Sequence, residues 1–226
     1  MSRINYANIM AKYKTVGKAA VRLTQSSLYL TKPIVSTQTT YTFDILETQT
    51  ATQQADEIRL NLNDEFICST LGLYLEGDLQ NPGNTGIKRL FTYAPLELNG
   101  TGVSSVQNFY NGALQISINN IVFLDKWDSR KHEFVPQTQF QNFVAGTSTS
   151  TQAQQQMSKA GMFPVEPTIT LSGAKKNSIV LQLPTAINST NIAVTDDAGG
   201  TYTYRIQRVA ILMRGLNAQN GATFQS

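Results

Sequence analysis

Apolar and polar positions alternate with a period of two through most of the chain. Tyr41, Phe43 and Ile45 alternate with polar neighbours, and so do Ile58, Leu60 and Leu62. Each set puts its apolar members on one face of a strand. A longer apolar run, Phe66 to Leu75, follows between Asn63-Asp64 and Gly77-Asp78 within the strand pattern. Arg89 to Tyr93 predicts another strand. Leu114, Ile116 and Ile118 alternate, then Asn119-Asn120 turns the chain into Ile121 to Leu124. Glu133 to Val135 predicts a short strand. Ile169 and Leu171 face Ile179 to Leu183 across a hairpin tip at Lys175, Lys176 and Asn177. Tyr202 to Met213 predicts the last long strand. Its alternation changes phase near Gln207-Arg208, which predicts a bulge or bend.

The first 23 residues follow a different period. Tyr6, Ile9, Met10, Tyr13, Val16 and Ala20 recur at helical spacing and predict one apolar helix face. Arg3, Lys14, Lys18 and Arg22 fall on a neighbouring arc, and Lys12 lies off it. Strand pattern is expected only after Pro33. The division expected is a basic helical arm over 1–32 and a β-domain over 33–226.

Eight to ten strands with no helix pattern between them predict a mainly β fold, an antiparallel β-sandwich or jelly roll. No internal repeat points to a solenoid or propeller. Residues 145–161 are rich in Gly, Ser, Thr and Gln and predict an exposed loop.

Charge changes the picture in two ways. Only 15% of the 226 residues are charged, against roughly 25% in ordinary soluble domains. Thr, Gln, Asn and Ser take their place. Such surfaces suit burial against other protein, since hydroxyls and amides bond across an interface without the cost of burying charge; a neutral, unassociated β protein is the plainer alternative. The charge is also uneven. Six basic residues and no acidic one lie in 1–32, so the remainder holds 12 basic and 15 acidic residues beneath an overall +3. The arm has three readings. It docks on a neighbouring subunit through Tyr6, Ile9, Met10 and Tyr13, or it caps its own domain, or Arg3, Lys14, Lys18 and Arg22 meet nucleic acid or an acidic partner.

Candidate chemistry is sparse. The one cysteine, Cys68, sits in an apolar run and reads as a small buried hydrophobe. It leaves no disulfide to form within the chain. The one histidine, His132, lies among charged residues and is expected in a solvated turn; a role as general base needs a paired nucleophile and orienter. Zinc is not expected from one Cys and one His. Asp125 with Asp128, or Asp196 with Asp197, are oxygen donors for calcium, but their spacing fits no EF-hand loop and solvated turns are expected instead. No phosphate loop or dinucleotide fingerprint is present. The expectation is a non-enzyme with no metal and no cofactor. No apolar run is long enough to span a bilayer, and no secretory leader is expected.

A resemblance rests on several segments taken in order. They are Arg59 to Phe66 leading into Leu71-Gly72-Leu73-Tyr74-Leu75, Phe91 to Pro95, Phe109 to Gly112, Phe134 to Gln139, and Pro167 to Gly173 before Asn177 to Pro184. Together they resemble bacteriophage virion structural proteins of the jelly-roll capsid type. The resemblance implies a capsid shell subunit, made in the host cytoplasm and carried in the virion. Its implied partners are copies of itself, other virion proteins and, through the basic arm, the genome. A double jelly roll needs about twice the strands counted, so a single jelly roll is expected. The alternative is a carbohydrate-binding or adhesive β-sandwich using Trp127 and the tyrosines. A glycoside hydrolase comes third, since no carboxylate pair stands out.

Overall fold

The computed structural model describes residues 6–14, 21–47, 55–79, 88–93, 106–134, 161–187, 193–195 and 203–222. One helix, α1 (Tyr6–Lys14), precedes ten strands. They are β1 (Arg22–Pro33), β2 (Thr40–Phe43), β3 (Glu65–Leu79), β4 (Lys88–Phe91), β5 (Ala113–Ile118), β6 (Ile121–Asp128), β7 (Met162–Ser172), β8 (Asn177–Gln182), β9 (Ala193–Thr195) and β10 (Thr203–Gln219). A 3-10 turn, Ser129–His132, follows β6.

The fold is mainly β, with two antiparallel sheets in a sandwich-like arrangement. The first sheet has the order β1-β10-β3. Beyond β3, β4 pairs with one half of that strand and β7 with the other, while β9 pairs with the start of β10. The second sheet has the order β2-β8-β5-β6. Inward positions of both sheets build one core. Leu71, Leu73 and Leu75 of β3 and Val209 and Ile211 of β10 meet Tyr41, Leu114, Ile179 and Leu181 from the other sheet.

Local chemistry explains the joints. Asn119 and Asn120 take φ of 49° and 64°. Asparagine tolerates this left-handed region, and two such residues make the tight hairpin between β5 and β6. The phase change near Gln207 is a bulge, because the β10–β3 register shifts between Ile206 and Arg208. A second shift lies at Arg214/Gly215. There a Cβ on Gly215 would stand 1.8 Å from the Ile67 carbonyl oxygen, so the close approach of the two backbones requires glycine.

Three expectations are corrected. Strand structure starts at Arg22, not after Pro33. Leu28 and Leu30 face the core, and all of β1 pairs with β10 from Arg22↔Gln219 to Pro33↔Arg208. The helix expected over 1–23 therefore stops short of Arg22; its described part is Tyr6–Lys14, and residues 1–5 and 15–20 lie outside the described residues. Ile58, Leu60 and Leu62 do not form a one-faced strand. Leu60 is buried, whereas Ile58 and Leu62 are exposed. The segment bridges Tyr29 at Ile58 and Leu46 at Leu60, and partners that change within two residues leave no ladder to hold a pleat. Glu133 and Phe134 form no strand and instead close the 3-10 turn and bond to Thr92; Val135 lies outside the described residues. The expected loop over 145–161 also lies outside them, except for Gly161, which is buried at φ 70° just before β7.

Candidate functional site

The outer face of the first sheet receives α1. Tyr13 is buried with Ile67 and Ala218, and Ile9, Val21, Leu23 and Leu216 pack around them. This cluster is separate from the main core. It forms because two strands present apolar residues outward here: the extra residue Ser69 shifts the phase of β3 and turns Ile67 away from the core, beside the outward Leu216 and Ala218 of β10. The Tyr13 hydroxyl donates to Glu65 Oε2 at 2.6 Å, and Lys12 Nζ reaches the same oxygen at 3.3 Å. Burial pushes the Tyr13 phenol far above its ordinary pKa, and the adjacent carboxylate adds to the shift. The helix is thus latched to a fully buried acid by its last turn.

Of the arm residues singled out in the sequence, Ile9 is partly buried in this cluster, Met10 is half-buried and Tyr13 lies at its centre. Tyr6 and Lys14 belong to α1, but their side chains lie outside the description, as do Arg3 and Lys18 altogether. Arg22 is an exposed residue at the start of β1. Lys12, set apart from the basic arc by its spacing, meets Glu65, and Lys32, at the end of the expected arm, meets Asp44 at 2.7 Å. No local signal marks Glu65 as the partner of Lys12, because the two are 53 positions apart.

Two more buried carboxylates lie toward the opposite end of the first sheet. Glu76 of β3 is fully buried and accepts from Arg208 at 2.7 Å and from the Tyr29 hydroxyl, with Lys88 at 3.4 Å. Lys88 in turn holds Asp56 at 2.6 Å. Glu57 accepts from the Thr31 backbone N–H at 2.8 Å and from Arg59 at 2.7 Å, which fastens residues 55–60 along the edge of β1. Each acid is matched by cations or hydroxyls. Their geometry is that of cross-links between strands, and a missing partner would strand a buried charge.

His132 corrects an expectation. It is not in a solvated turn but is fully buried. Its Nδ1 lies 2.7 Å from the Gly161 carbonyl and donates to it, so Nε2 accepts from the Trp127 indole N–H at 2.7 Å. Phe163 packs edge-on against the ring. Desolvation lowers the His132 pKa. Both ring nitrogens are spent on structure, and the ring ties the turn after β6 to the start of β7. Trp127 is engaged as well, with its N–H on His132 and the Lys131 ammonium 4.3 Å from its ring centroid.

Cys68 is buried in the core, and burial pushes its thiol up to about 12. Asp125 accepts from Gln115, and Asp128 caps the 3-10 turn by accepting from the Arg130 backbone; Asp196 and Asp197 lie outside the described residues. Among the described residues no three of His, Cys, Asp and Glu gather to hold a metal ion. Among them, too, no helix is long and apolar enough to cross a membrane. Comparison with protein-family models, curated proteins and solved structures finds no match to this chain.

Proposed function

We propose that this chain is a non-enzymatic virion structural protein, a capsid shell subunit built on a single jelly roll. The nested strand pairing carries the reading. With β4 and β9 set aside, eight strands remain. They pair as one long antiparallel ribbon folded on itself: β1 with β10, β2 with β8, β3 with β7 and β5 with β6. Two further pairings, β10 with β3 and β8 with β5, close the ribbon into two four-stranded sheets. That nesting is the requirement of a jelly roll, an architecture recurrent in viral shells and also in lectins and cupins.

Architecture alone does not choose among those functions. The low charge favours assembly, because neutral Thr-, Gln- and Asn-rich surfaces are inexpensive to bury against protein. The state of Trp127 weighs against the sugar-binding alternative, since its N–H is occupied and one ring face lies beneath Lys131. Electron microscopy of the purified protein, with light scattering for mass, tests the proposal. Rings, capsomers or shells are expected. A single species at 24.9 kDa at every concentration would overturn it.

A further inference from the structure

The two sheets differ in how they meet solvent. Strands β2, β5 and β8, with sequences TYTF, ALQISI and NSIVLQ, contain no charged residue. Their inward members, such as Tyr41, Ile116 and Leu181, fill the core. Their outward members are uncharged and aligned by register. Thr42, Val180 and Gln115 form one row across the sheet, and Ser178, Ser117 and Val122 form the next. Thr42 and Gln115 are exposed. At the β6 edge, Val122 is 47% and Phe123 54% exposed. Within these four strands charge appears only on the later half of β6, where Asp125 is held by Gln115; Asp44, one residue past β2, is exposed and paired with Lys32.

An antiparallel sheet with one face in water ordinarily protects that face and its edges with charged side chains, lysine above all. This face has none over three of its four strands, and its edge strand adds exposed valine and phenylalanine. The outer face of the first sheet is the opposite case. It carries Glu65, Glu76, Lys88, Arg208 and Arg214 and is partly covered by α1.

From this contrast we infer that the outward face of the β2-β8-β5-β6 sheet is a self-association surface whose occupant is the same face of a second copy of this chain. This names the contact behind the assembly proposed above and rests on that reading. Charge matching selects the occupant. A neutral face has nothing to offer a charged partner, and the charged outer face of the first sheet would lose solvation against it without gaining ion pairs. Threonine, serine and glutamine both donate and accept hydrogen bonds, so the face complements its own image across a two-fold axis. Its size limits the strength of the contact. Four strands and two or three rows cover on the order of 300 Å², below the roughly 800 Å² per partner of a standard stable interface. The contact is therefore concentration-dependent in isolation and gains strength by repetition in a lattice.

The test places charge at the centre of the face. Val180→Glu and Val180→Lys are prepared as full-length chains, with the exposed pair Thr42→Glu and Thr42→Lys in case a charge at half-buried Val180 perturbs folding. Sedimentation equilibrium is run up to about 1 mM, with circular dichroism confirming the fold. The expected result is a wild type heavier than 24.9 kDa, a loss of association in each variant alone, and its return when Glu and Lys variants are mixed. If the wild type associates and all four variants associate equally well, this surface is wrong while the assembly reading stands. If the variants dissociate but mixing restores nothing, the occupant is not the same face of a second copy. A wild type that stays monomeric throughout overturns both the surface and the assembly reading.

Discussion

Replacing Tyr13 by Phe tests how α1 is held. The ring, and with it the contact to Ile67 and Ala218, is kept, and only the hydroxyl is lost. Glu65 then loses its 2.6 Å donor while its side chain remains 1% exposed. Its remaining partner, Lys12, stands at 3.3 Å and is itself 48% exposed, so water screens that pairing. Among the described residues no donor meets the buried Glu65 Oε1, so none of them takes over from Tyr13. A hydrogen bond to a charged group contributes about 1.5–3 kcal/mol. For a chain of this length each kcal/mol moves Tm by roughly 2–4 °C, so a loss of about 2 kcal/mol lowers Tm by roughly 4–8 °C. Differential scanning calorimetry measures the shift. In a Glu65→Gln background the same substitution costs less, because the acceptor is no longer charged. A Tyr13→Phe protein melting within about 1 °C of wild type would refute the latch. A shift that depends on protein concentration would place the contact between chains rather than within one.

Three further outcomes are expected. His132 has a folded-state pKa below its unfolded value, so the unfolded chain takes up the proton first. Its contribution is complete above about pH 6.5 and is lost as pH falls from there toward the folded value. The urea midpoint of the wild type should therefore fall more steeply from pH 7 to 5 than that of His132→Gln, and parallel slopes would contradict the neutral buried ring. Gly215→Ala should cost about 2–4 kcal/mol, since its Cβ meets backbone that cannot give way; an unchanged urea midpoint would disprove the close approach at the second bulge. Cys68, buried with a raised pKa, should resist a thiol reagent in the native state and react on unfolding. Rapid labelling of the folded protein would place the thiol at the surface instead.

Period-two alternation is a local property, and where a ladder received it the strand was legible: Tyr41 and Phe43 in β2, Leu114 to Ile118 in β5, Ile179 and Leu181 in β8; Ile58, Leu60 and Leu62 alternate as cleanly but find only isolated bridges. The slip at Gln207 was legible for the same reason, because a bulge moves apolar residues to the other parity. In β1, Thr24 to Ser27 interrupt the alternation, and only the twelve-residue pairing with β10 makes that segment a strand. The need for glycine at 215 was hidden because the Ile67 carbonyl that crowds it, and the extra residue Ser69 that shifts the register there, lie on another strand. The same holds for the candidate sites. The apolar spacing of Ile9 and Tyr13 announced a docking face, but the acid that receives Tyr13 stands 52 positions away. His132 looked solvated because its sequence neighbours are charged, yet Gly161 and Phe163, brought back by β7, enclose it. The sequence by itself determined the regularly alternating strands β2, β5 and β8, the Asn119-Asn120 turn and the scarcity of charge, since each depends on neighbours a few residues apart. Which faces meet, which acids are buried and which neutral face is left to solvent were decided only by the tertiary structure, because pairing and desolvation depend on residues that the chain holds far apart until it folds.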